Sequence, residues 1–249
     1  MSRKLVTVLI LLVGMAGVIV AAVATFAPVE DRTVTAQPGP IRGVEVDLEA
    51  GRVEIVPGVG NEATIDRTRR YLRGAPEVSE ILLDGVLRIE AACEALITLG
   101  CRVNYRLEVP AAVPVRIRTD RGSVEITDMA GMVEVETGAG DVDLTRTRGP
   151  VRATTSAGDI DGVDLVAAFL DARTDAGHVR LSLAEPSARV DLRTDAGNID
   201  LALPPAGGGY RVTTETGAGE VDVSVENLPG ANRSVTATTG GGNIRIHHR

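Results

Sequence analysis

The chain has 249 residues, a formal net charge of −8 and only 2% aromatic residues, with no tryptophan. No basic patch interleaved with aromatics occurs, which excludes nucleic acid as the expected partner. Aromatic-walled sugar or ligand clefts have almost no material either, so the core must be built from Val, Ile, Leu and Ala.

Residues 1–4 carry Arg3 and Lys4, and residues 5–27, LVTVLILLVGMAGVIVAAVATFA, contain no charge. A bilayer core needs about 20 apolar residues as a helix, against about 7–15 in a signal-peptide core. The length favours a retained transmembrane helix, while AVA at 22–24 leaves a cleaved signal open. Cationic residues before the run and Glu30 and Asp31 after it orient residues 1–4 to the cytoplasm and everything after the helix outward. The expected location is therefore the cell membrane, in a single pass with an extracytoplasmic C-terminal domain. Residues 28–41, rich in Pro, Gly and polar side chains, read as a tether. Residues 42–249 are the displayed domain.

That domain opens with VEVDLEAGRVEIVPG at 44–58, which reads as two alternating strands joined at a turn. EVSEILLDG at 77–85 fits a short helix or a strand. VLRIEA and VNYRLEVP then read as strands on either side of Cys93 and Cys101, eight residues apart in CEALITLGC. These are the only cysteines, and in an oxidising compartment they are expected to form one disulfide closing a small loop. They lack CxxC spacing and nearby histidines, which makes a zinc site a poor alternative.

From Thr119 onward the sequence repeats. TDRGSVEI, TGAGDVDL, TSAGDIDG, TDAGHVRL, TDAGNIDL, TGAGEVDV and TGGGNIRI align on Gly122, Gly140, Gly158, Gly177, Gly197, Gly219 and Gly242. Successive units are 18 to 23 residues long, and Gly131 and Gly149 halve the early ones into nine-residue steps. Each aligned glycine is expected at a positive-φ turn, where a Cβ would be penalised. Val142 and Leu144, Ile199 and Leu201, and Val221 and Val223 should face the interior, with Asp143, Asp200 and Asp222 in solvent. Two architectures satisfy this period: a solenoid with one unit per coil and parallel ladders, or an antiparallel meander with a hairpin at each TGAG.

VEVDLEAGRVEIVPG, CRVNYRLEVPAAVPVRIRTDRGSVEI and the repeated T-x-A-G-x-[VI]-x-[LV] together resemble the DUF4097 family, the adhesin-like or toastrack β-repeat proteins of bacteria. The resemblance spans Arg42 to Ile246. It implies an all-β, right-handed β-helix-like solenoid, commonly membrane-anchored and extracytoplasmic. It supplies no catalytic residues. Some relatives accompany envelope-stress signalling proteins, which implies a sensory ectodomain as the alternative to adhesion or partner binding.

The many carboxylates are the candidates for chemistry. The glycine spacing is similar to nonapeptide calcium repeats, in which turn carboxylates of successive coils chelate the ion. The turn positions here are Ser123, Asp141, Asp159, His178, Asn198, Glu220 and Asn243, which do not supply a carboxylate on every rung. Calcium is a second alternative, and no cofactor, metal or catalytic residue is expected. A glycosidase would need two carboxylates about 5–10 Å apart across a groove. Asp159, Asp161 and Asp164 are the nearest candidates, but alternate Asp residues on a strand are ordinarily its exposed face. No G-x-S-x-G motif occurs, and His247 and His248 close the chain as a solvated pair. The expected function is non-enzymatic: a surface presented to an unknown envelope protein or glycan.

Overall fold

The computed structural model describes residues 28–72, 74–93 and 100–249. The expected membrane helix at 5–27 lies outside them, and among the described residues no helix is long and apolar enough to cross a membrane. The described residues form strands and turns in two sheets, of 11 and 10 strands.

Alternation builds the central coils. One sheet stacks β8 (Val115–Arg121), β10 (Val133–Ala139), β12 (Val151–Ala157), β14 (Phe169–Ala176) and β16 (Arg189–Ala196) in parallel. The other stacks β9 (Val124–Thr127), β11 (Val142–Thr145), β13 (Ile160–Leu165), β15 (Val179–Leu183) and β17 (Ile199–Leu203), also in parallel. Each coil gives one long strand to the first sheet and one short strand to the second. Because side chains alternate between faces, in-register pairing lines equivalent residues into buried columns. Val115, Val133, Val151, Leu170 and Val190 form one column, and Val124, Val142, Ile160, Val179 and Ile199 face it from the other sheet. The meander is thereby ruled out: these coils are a β-solenoid with an aliphatic interior.

At both ends the stacking departs from chain order. β2 (Gly43–Ala50) and β3 (Val53–Pro57), the two-strand unit read at 44–58, lie between β8 and β9 on one side and β6 (Val86–Ala92) and β7 (Arg102–Val109) on the other. Likewise β20 (Ser234–Gly241) and β21 (Ile244–His248) insert between β16 and β17 and the earlier coil of β18 (Arg211–Thr216) and β19 (Val221–Val223). That makes β18 and β19 the outer coil, so Val221 is 44% exposed instead of facing the interior as its repeat position suggests.

At the N-terminal end one expectation is corrected and one open reading is decided. Residues 28–41 are not a free tether: β1 (Val29–Gln37) pairs antiparallel with β4 (Ala63–Tyr71), which pairs antiparallel with β7. Its polar composition reflects an edge strand, where charges such as Asp31 and Arg32 discourage further pairing and bond to Arg69 and Asp66. EVSEILLDG resolves as a strand, β5 (Glu77–Leu83), antiparallel to β6. Between the two sheets Glu80 of β5 accepts hydrogen bonds from Arg67 of β4 at 2.7 Å and from the Tyr105 hydroxyl at 3.1 Å. Burial, then the Glu80 charge, pushes the Tyr105 phenol well above its usual pKa.

Deleting residues 234–249 removes an interior coil and the buried Val235, Ala237, Ile244 and Ile246. At about 1.5–3 kcal/mol for each large aliphatic side chain, the loss approaches a whole domain's stability of about 5–15 kcal/mol. The expected outcome in thermal circular dichroism is loss of the cooperative transition. A transition retained at the wild-type Tm would mean that β18 and β19 simply close onto β16 and β17.

Candidate functional site: the turn spine and the outer faces

The T-x-A-G-x motif forms one edge of the solenoid, and each position has a separate task. Thr137, Thr155, Thr174, Thr194 and Thr239, all buried, and the half-buried Thr216 of the outer coil donate to the carbonyls of Gly122, Gly140, Gly158, Gly177, Gly197 and Gly242 on the adjacent coil, at 2.9–3.1 Å. Thr119 lies in the same column, but its buried hydroxyl has no partner among the described residues.

The glycines permit close stacking. A Cβ on Gly177 would sit 1.9 Å from the Gly158 carbonyl oxygen, and one on Gly140 would sit 2.2 Å from that of Gly122. Six of the seven aligned glycines have positive φ; Gly122 does not, and it is a glycine because its own Cβ would lie 1.9 Å from the Gly51 oxygen. Steric approach along the stack is thus the shared requirement, and backbone handedness accompanies it.

The residues after six of the seven aligned glycines, all but Ser123, form a spine that was not expected from the sequence. Asp141 Oδ1 accepts from the Asp159 N–H at 2.9 Å, and Asp159 Oδ1 from the His178 N–H at 2.7 Å. His178 Nδ1 accepts from the Asn198 N–H at 2.9 Å, Asn198 Oδ1 from Asn243 at 2.8 Å, and Asn243 Oδ1 from Glu220 at 2.9 Å. The available signal was chemical: Asp, His and Asn differ in charge, but each offers a short-reach acceptor. His178 must therefore be the tautomer protonated on Nε2. The first two turn carboxylates are used along the stack instead of converging on an ion. Among the described residues no group of three or more His, Cys, Asp or Glu is arranged to hold a metal.

The proposed enzymatic carboxylates are engaged with arginines. Arg180 bonds Asp159 Oδ2 at 2.7 Å and both oxygens of Asp161 at 2.7 and 2.8 Å, and Asp164 pairs with Arg249. Burial opposes ionisation of Asp159, but the His178 N–H and the Arg180 guanidinium outweigh it and hold its carboxyl below the usual range. Asp143 shifts the other way, raised first by burial and then by Asp161, Asp141 and Glu125 on neighbouring positions. Cys93 and Cys101 form the disulfide, and the Cys93 N–H donates to Glu49 at 2.8 Å. Of the final histidines, His247 bonds Asp200 at 3.0 Å.

The outer faces carry rows of charge that pair between coils. Arg116 meets Glu134 at 2.6 Å and Arg118 meets Glu136 at 3.3 Å on the long-strand sheet. Arg146 forks onto both oxygens of Asp128 at 2.7 and 2.8 Å near the short-strand sheet. Exposed pairs of this kind contribute about 0–1 kcal/mol each, so they set register and surface chemistry more than stability.

A stacked, aliphatic-cored solenoid with a Thr–Gly–acceptor edge defines the class of protein. The match of residues 106–247, more than half of the chain, to the family model described as Toastrack DUF4097 then assigns it: the chain belongs to that family. Solved structures with some similarity include a candidate cell adhesion protein from Clostridium sporogenes, at 12% identity and TM-score 0.42, covering 90% of this chain and 100% of that one. A candidate adhesin from Bacteroides fragilis aligns at 12% identity and TM-score 0.49, covering 88% and 97%. Another, from Parabacteroides distasonis, aligns at 11% identity and TM-score 0.37, covering 86% and 97%. No curated protein matches the chain.

Two substitutions test the spine. His178→Ala removes one acceptor and is expected to cost about 1 kcal/mol, or roughly 2–4 °C in Tm, whereas His178→Asn restores the acceptor and the stability. Equal Tm for both variants would remove the spine from the account. For Asp159, a depressed folded-state pKa means stability present above the ordinary carboxyl pKa and lost as pH falls through the depressed value. Asp159→Asn keeps an acceptor for His178 but loses the charge. It is expected to be less stable than wild type at neutral pH, with the difference shrinking below about pH 4 in Tm-versus-pH scans.

Proposed function

We propose that this protein is a non-enzymatic, membrane-anchored envelope protein that presents its solenoid outside the cytoplasmic membrane for adhesion or partner binding. The observation that carries this reading is the division of labour in the coils. Inward positions are aliphatic apart from the buried threonine column, while outward positions of both sheets form in-register rows of Arg, Asp, Glu and Thr. Such a face is a repeating display of hydrogen-bonding and charged groups on a rigid support, which suits recognition better than turnover. The uncharged run at 5–27 and the cations before it support the anchor and its orientation. The coils are taken as right-handed, following the general hand of parallel β crossovers. The partner is an envelope protein or glycan.

The reading is tested in intact cells. External protease should digest the domain while it remains with the membrane fraction, and crosslinking from residues on the outer faces should recover a discrete protein or glycan. Protection from protease, or release into the soluble fraction, would refute the anchored display. Absence of any crosslinked species would refute partner binding.

A further inference from the structure

Large exposed apolar side chains on the solenoid are few, and two of them fall on one spot. Met132 is 48% exposed and Phe169 is 57% exposed. Each directly precedes the first inward residue of its strand. Because Val133 pairs with Val151 and Val151 with Leu170, Met132, Pro150 and Phe169 occupy the same position on three successive coils. With strands about 4.8 Å apart, they make a continuous apolar shelf roughly 10 Å long on the outer face of the long-strand sheet.

The shelf floors an open groove of about 610 Å³. Four guanidiniums and three carboxylates line it, a positive excess on a chain whose net charge is −8. Two of the arginines are directly paired, Arg116 with Glu134 and Arg189 with Asp191, both at 2.6 Å. The other two share Asp171, which Arg173 holds at 2.9 Å and Arg152 approaches only to 3.7 Å. Arg152, with its side chain 63% exposed, is therefore the under-neutralised cation, two residues from Pro150.

We propose that this groove docks an acidic–apolar segment of a partner protein, with an apolar side chain on the Met132–Pro150–Phe169 shelf and a carboxylate on Arg152. The proposal rests on the partner-binding reading above and deepens it. An aromatic ring beside available arginines is the composition of an interface anchor. The alkyl surfaces of Met132 and Pro150 suit an aliphatic side chain, whereas a sugar ring would want aromatic faces and finds one. Arginine supplies the planar fork that a carboxylate accepts in two hydrogen bonds.

The test uses the full chain in detergent micelles and a fluorescein-labelled peptide alternating leucine and glutamate, read by fluorescence anisotropy. Saturable binding is expected, with no competition from the peptide alternating leucine and lysine. Phe169→Ser and Arg152→Glu, both at exposed positions, should each raise Kd about tenfold or more. Arg245→Glu, on the opposite sheet, should leave it unchanged, and circular dichroism should show all three variants folded. Absence of saturable binding, or equal affinity across the variants, overturns the proposal. So does polygalacturonate binding that displaces the peptide and weakens with the same variants, because it makes the occupant a glycan. None of these failures touches the cell-surface crosslinking result, so the general reading and this groove fail separately.

Discussion

The structure depends on one close approach: the glycine of each turn lies against the glycine carbonyl of the adjacent coil, with no room for a side chain between them. At Gly197 a Cβ would stand 1.9 Å from the Gly177 oxygen, and at Gly242 it would stand 2.1 Å from the Gly197 oxygen. That approach fixes the coil-to-coil spacing at the turn edge to the spacing of the strands. The rest of the motif follows from it. A buried threonine can reach the same carbonyl, and a short acceptor after the glycine can reach the next coil's N–H. Carbonyls that curl at a turn would otherwise be left without donors in a half-buried edge, which is costly. The motif is best understood as a hydrogen-bonding device repeated at the pitch of a sheet.

Much of this was legible in the sequence because it is local. Alternation of Val, Ile and Leu with polar residues gave the strands and their inward faces, and the glycine column gave the coil length. The disulfide between Cys93 and Cys101 was legible from number and spacing. What was hidden was non-local. Near-identical units fit any slot in the stack, so nothing in their sequences announces that β20 inserts between β16 and β18 and β21 between β17 and β19. The consequence for Val221, an apolar residue at an interior position of its repeat but on the outermost coil, was hidden with it. The spine was masked differently. Asp141, His178 and Asn198 look like a failed carboxylate series when judged by charge, and like a complete acceptor series when judged by hydrogen-bond geometry. β1 was masked by composition, since an edge strand is charged for the same reason that a linker is.

Lys4 is the only lysine in the chain, so every fixed side-chain cation on the outer faces is an arginine. Adjacent coils bring side chains within about 5 Å of one another, a distance over which a planar guanidinium can span two carboxylates. Arg180 does so between Asp159 and Asp161. A lysine would satisfy one partner as a point charge and leave the other repelling its neighbour. Where that pairing is incomplete, as at Arg152, the surface retains an unspent cation, and this is the kind of local imbalance through which an otherwise neutralised face acquires specificity.

Insertion of the β20–β21 coil bears on how such a stack resists fraying. A solenoid whose last coil is also its C-terminus can fray one coil at a time, since each coil contacts only its neighbours. Here the C-terminal strand β21 is paired on both sides, with β17 through Ile199–Ile244 and with β19 through Val221–Ile244. The end of the chain cannot leave without separating two ladders. The exposed outer coil is an internal loop of the chain, closed at both of its own ends. At the opposite end β1 and β5 turn antiparallel, and the Arg67–Glu80 contact joins the two sheets across the core. Among the described residues both ends of the stack are thus closed by strand topology, which leaves the outer faces of the two sheets as its long exposed surfaces.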